Sequence, residues 1–156
     1  MSVKSNFVVR LEMLWFFLHM MDRYAFAIGG PEVRATLQDA IVESTIRDLL
    51  AATFDSSHVK KGFDVQEWKN RMFSDTLEEF NEAGLDYGSC TALVTESKVD
   101  AFREDSILGK LGARICRLTG QNPLNLNLRL LIWGAAAEFL VKSGLKKQVE
   151  ELIAKW

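Results

Sequence analysis

Cysteine, proline and histidine each occur only twice in the 156 residues, and neither charge sign dominates. Each shortage removes a class of protein. Cys90 and Cys116 are too few for a disulfide framework, and their spacing is not that of zinc ligands. They read as two reduced thiols in a cytoplasmic protein. Two prolines, Pro31 and Pro123, leave long stretches without a breaker, which favours long helices. Two histidines, His19 and His58, limit any metal site to mostly carboxylates, and neither Glu-x-x-His nor His-Glu-x-x-His occurs. No metal and no cofactor are therefore expected. The formal net charge is −2 and no basic stripe is visible, which argues against nucleic acid.

Long apolar runs are missing too. The longest, Met13 to Leu18, has six residues, where a membrane span needs roughly 18 or more. The surrounding stretch has the outline of a signal peptide, but Glu12, His19, Asp22 and Arg23 interrupt it. No membrane partner is expected. The phosphate-binding loop and the Gly-x-Ser-x-Gly elbow are both absent. A cysteine nucleophile needs an electropositive setting, and the arginines flanking Cys116 point elsewhere on a helix. Cys90 is the better candidate of the two.

What is present is ordinary globular material: 48% hydrophobic residues, 26% charged, and a length that suits one domain over 1–156. The most apolar and aromatic stretch is Phe7 to Ile28, FVVRLEMLWFFLHMMDRYAFAI. Periodicity predicts a helix from about Ser5 to Ile28, apolar nearly all round, as a core helix is. At 100° per residue, Glu12, His19 and Arg23 fall within about 40° of one another and Asp22 about 80° to one side. This narrow polar stripe either meets solvent along a slit or is buried and internally paired. It is the one candidate ligand site: His19 as ligand or general base, Asp22 orienting it, Arg23 holding an anionic group. Against that stands a plain structural role, with His19 paired to Glu12, Asp22 or a backbone carbonyl.

Gly29-Gly30 is expected to end this helix and Pro31 to open the next, which runs to about Thr53. Glu43 and Arg47 should form a solvated pair on it. After a polar connector, Asp64 caps a third helix whose apolar face is Val65, Trp68, Met72, Leu77 and Phe80. Gly84 is expected to end it, with Leu85 folding back on Phe80. A fourth helix is predicted from near Ser97 to Gly120. Gly109 and Gly112 lie on it among leucines, where each glycine costs about 1 kcal/mol against alanine, so a close packing partner is implied. Gly134 to Ala137 is the obvious one. Leu124 to Leu130 alternates like a strand but also makes a helical face, and it continues unbroken through Ser143, so it is read as helix. Gly144 caps it, and a last helix follows to Trp156.

The chain is thus read as an all-α, single-domain bundle of about six helices around a strongly apolar N-terminal helix. Four tryptophans and ten phenylalanines exceed what such a core hides, and surplus aromatic surface marks interfaces. The expected function is self-association as a protein–protein interaction module without catalytic activity, as a homodimer and with room for another protein partner. Gly109, Gly112 and Trp156, with the later half of the second helix, are the expected contact faces. The alternative is a ligand- or metal-binding bundle, with enzymatic use, sited at His19.

Overall fold

The computed structural model describes residues 3–53, 62–91, 103 and 105–155. His58, Trp156 and the segment 92–102 lie outside the described residues, and with them the expected helix start at Ser97 and the expected contact at Trp156. Five helical elements follow in order: α1 Val3–Thr53, α2 Val65–Gly88, α3 Ile107–Leu118, α4 Leu126–Ser143 and α5 Leu145–Ile153. No strand occurs among the described residues, so the chain is all-α. None of these helices is long and apolar enough to cross a membrane.

α1 is not one rod. Gly30 stands at φ 78°, ψ −173°, a conformation that is essentially restricted to glycine. Pro31 follows immediately, so the predicted break falls where Gly29-Gly30-Pro31 placed it. Asp22 and Arg34 show how sharp the turn is. On a straight helix twelve residues would hold them about 18 Å apart. Here Arg34 Nε donates to Asp22 Oδ1 at 2.7 Å, which buckles the two halves together. The Arg34 guanidinium also lies 6.0 Å from the Phe26 ring centroid.

The half of α1 before the break is the centre of the molecule. Trp15, Phe16, Leu18, Met20, Met21 and Ala25 are all buried. α2, α3 and α5 pack on α1, and Phe17 meets Phe139 of α4 with ring centroids 4.1 Å apart. The half after the break contributes Leu37, Val42, Ile46 and Leu50 to the same core. Its outer side carries the expected Glu43–Arg47 pair at 2.7 Å, and Arg47 also covers the Phe73 ring of α2 at 4.6 Å.

α2 begins as predicted. The Asp64 carboxylate accepts from the backbone N–H groups of Gln66 and Glu67. Its end differs: the helix passes through Gly84 and stops at Gly88. Leu85 does not fold back on Phe80 but is 80% exposed. The buried face is Thr76, Phe80, Ala83 and Tyr87, a spacing of four, three and four. Gly84 serves close approach instead of termination. A Cβ there would stand 3.0 Å from Cε1 of His19.

α3 starts later than Ser97 and Asp100 suggest. Arg103 and Asp105 are not helical, and Ser106 is the N-cap, its hydroxyl accepting from the Gly109 N–H. α4 is helical over Leu126–Ser143 with Asn125 as N-cap, which settles the alternating leucines as helix; Asn122 and Pro123 precede it in a turn. Gly144 ends α4 in the left-handed conformation, as expected. Gly109 and Gly112 are buried within the chain, between α3 and α4. Arg129 of α4 meets both of them. A Cβ on Gly112 would lie 3.4 Å from Arg129 Cγ, and Arg129 Nη2 donates to the Gly109 carbonyl at 3.1 Å. The close approach predicted for these glycines is therefore met inside the chain, so this face is a seam between helices and not an outward contact surface.

Candidate functional site

The four stripe residues of α1 are brought to one side of the helix, under α2 and α3, and are paired; Glu12, His19 and Asp22 are buried and Arg23 is half-buried. Glu12 is 2% exposed. Its carboxylate takes a forked pair of hydrogen bonds from Arg114 of α3, Nε to Oε1 at 2.6 Å and Nη2 to Oε2 at 2.9 Å. The Tyr87 hydroxyl donates to the same carboxylate. Arg114 Nη1 reaches Asp86 Oδ2 at 2.5 Å, and Arg117 approaches that oxygen at 3.5 Å. The Arg114 guanidinium stands 5.6 Å from the Tyr87 ring centroid. Burial works against the Arg114 charge, but the Glu12 and Asp86 carboxylates outweigh it and hold its pKa above the ordinary value. Burial, with Glu12 beside it, pushes the Tyr87 phenol well above its own, so it stays protonated and donates. The arrangement is a satisfied polar tie between α1, α2 and α3.

His19 is 7% exposed and stacks on Phe80, ring centroids 4.5 Å apart and planes 2° from parallel. Its Nε2 lies 3.4 Å from the Phe80 carbonyl oxygen. The backbone-carbonyl partner is thus the one realised from the three expected. Asp22, 7% exposed, pairs with Arg34 and not with His19. Arg23 donates through Nη2 to the Tyr87 carbonyl, near the end of α2. So the stripe divides into four pairings, with Glu12 tied to α3 while His19, Asp22 and Arg23 share one cavity wall. No group of three metal-ligating side chains is found among the described residues.

Burial lowers the His19 pKa from the ordinary 6.5, Arg114 adding to it, while the Phe80 carbonyl, Asp22 and Glu12 oppose. The folded protein therefore holds His19 neutral at a pH where the unfolded chain has protonated it. Below pH 6.5 the unfolded state binds the extra proton, and stability falls as pH drops from there to the lowered value. Urea midpoints taken between pH 7.5 and 5 should show this loss. The His19→Gln variant should show a shallower dependence over the same window.

Cys90 and Cys116 are both buried, and burial raises the pKa of each thiol. Cys90, the better candidate of the two for a nucleophile, thus stands in a setting that disfavours its thiolate. A cavity of about 130 Å³ lies beside the stripe, lined by His19, Asp22, Arg23, Arg34, Asn81 and Gly84 among others.

Arg34, Tyr87, Asp86 and Arg114 were not among the sequence-derived candidates. Arg114 had one available signal: it stands three residues after Leu111 and four before Leu118, on the edge of the apolar face of α3. No known protein family, curated protein or solved structure matches the chain.

Proposed function

We propose that the chain is a self-associating helical interaction module: one domain of about six helices, counting the two halves of α1 separately, cytoplasmic, without catalytic activity, and paired as a homodimer. The observation that carries this reading is the outer face of α4. That helix buries Arg129 and Ala136 on one side yet is apolar on the other as well. Leu126, Leu130, Gly134, Ala137 and Val141 fall within about 80° of arc, a continuous stripe along the helix. Val141 is 83% exposed, and Leu126 and Leu130 are exposed too. A helix apolar all round belongs in an interior, so an outward stripe calls for a second cover. The small residues at its middle let a partner helix approach closely.

Beside the stripe is a cavity of about 480 Å³ lined by Asn127, Leu130, Leu131, Trp133 and Gly134. The Trp133 indole N–H is buried with no acceptor among the described residues. An acceptor supplied across an interface would satisfy it. Ligand binding remains the second reading, favoured by the separate cavity beside His19.

Sedimentation velocity over a micromolar dilution series tests the module. Dimer should be present, and Leu126→Glu with Val141→Glu should weaken it by about a hundred-fold or more, because each loss is counted in both copies. Far-UV circular dichroism should be unchanged, since both side chains are exposed in the single chain. Monomer at every concentration overturns the reading.

A further inference from the structure

We infer that the cavity between α1 and α2 beside His19 binds a small oxyanion that carries a proton, of the size of bicarbonate or dihydrogen phosphate. Three observations converge on it. The first is size. At about 130 Å³ the space equals roughly four waters at about 30 Å³ each, which suits an anion of four or five heavy atoms and no drug-sized molecule.

The second is charge. Arg23 and Arg34 both line the cavity, against the single carboxylate of Asp22. The wall therefore holds an excess positive charge, and a monoanion balances it. Both guanidiniums keep donors in hand. Arg23 uses Nη2 on the Tyr87 carbonyl, and Arg34 uses Nε on Asp22. Their remaining N–H groups have no hydrogen-bond acceptor among the described residues. An arginine fork with two open positions matches an oxyanion bidentately.

The third is the mixture of donors and acceptors. The Asn81 and Gln38 carboxamides line the same space and supply neutral donors. Asp22 and the His19 ring supply acceptors; Nδ1 of His19 has no hydrogen bond among the described residues, its Nε2 facing Phe80. A fully deprotonated anion offers lone pairs only and would be repelled by them. Bicarbonate and dihydrogen phosphate present oxygens to the arginines and an O–H to these acceptors. α2 carries glycine at two lining positions: Gly84 lets the His19 ring approach, and Gly88, where a Cβ would meet nothing within 4 Å, leaves open space.

This site rests on the ligand-binding reading of the same cavity; it lies away from the α4 face and does not depend on self-association. The test is thermal unfolding and titration calorimetry with millimolar bicarbonate or phosphate, in separate arms, against chloride at matched ionic strength. Either anion should raise the midpoint dose-dependently, and the tighter one identifies the source. Arg34→Gln should weaken that affinity about ten-fold or more, by loss of charge-assisted hydrogen bonds. Arg34→Gln also breaks the ion pair to Asp22, so a second variant leaves every charge in place. Gly88→Leu fills a position whose Cβ would have nothing within 4 Å, and it should abolish the response while the fold is retained. The Leu126→Glu, Val141→Glu double variant should respond like the parent, which separates this claim from the self-association reading. No midpoint rise with either anion overturns the proposal, as does an undiminished response in Gly88→Leu.

Discussion

Glu12→Gln should lower stability by roughly 1.5–3 kcal/mol, the range for losing charge-assisted hydrogen bonds to a buried group. Arg114, whose side chain is only 16% exposed, keeps Asp86 but loses its buried carboxylate. Glutamine keeps the size and offers one carbonyl oxygen, so it can accept one bond from Arg114 but not the fork. It also turns an acceptor into a donor in a place where both Arg114 and the Tyr87 hydroxyl donate. A urea midpoint shift at unchanged slope is the measurement. The triple replacement Glu12→Leu, Tyr87→Phe, Arg114→Met should recover much of the loss, because it removes every buried member of the tie together. A single variant as stable as the parent would show that the tie contributes little.

Gly30→Val should be the second costly change, by about 3 kcal/mol. At φ 78° and ψ −173° a β-branched residue is sterically excluded, and strain of this kind is of order 1–3 kcal/mol for milder cases. The chain has two responses. It keeps the bend and carries the strain, or it straightens and gives up the Asp22–Arg34 pair and the docking of residues 31–53. Space is not the obstacle, since nothing lies within 4 Å of a Cβ built on Gly30. Gly29→Val is a different lesion: its Cβ would collide with the Val33 side chain at 2.7 Å. A smaller effect for Gly30→Ala than for Gly30→Val in thermal unfolding would be consistent with backbone strain.

The parts of this architecture legible from residues were those set by local rules. Gly29-Gly30-Pro31 announces a break because no other triplet both accepts positive φ and restarts a helix. Asp64 announces a cap because its carboxylate serves the N–H groups two and three positions on. The alternation of Leu124 to Leu130 is strand-like taken alone, and the unbroken helical pattern beyond it decides for helix. What was not legible was set by distance. Nothing near Glu12 identifies Arg114, 102 residues away, as its partner. Gly84 shows why a letter is ambiguous. A helix stop and a close approach both ask for glycine, and only the position of His19 decides between them. The mistaken stop hid Tyr87, which then lay beyond the expected end of its helix. Gly109 and Gly112 repeat the problem, since a need for close approach does not say whether the neighbour is another chain or Arg129.

The long reach of the Glu12–Arg114 tie also bears on how the chain is made. Synthesis runs from the N-terminus, so the central helix emerges well before α3. Until residue 114 is out, the Glu12 carboxylate has no counter-charge to accompany it into an apolar interior, and burying it alone would cost several kcal/mol. The first half of α1, with Trp15, Phe16 and Met20, must then wait with its apolar sides unburied. Burial of Glu12 in its paired form therefore follows the emergence of Arg114 and cannot precede it.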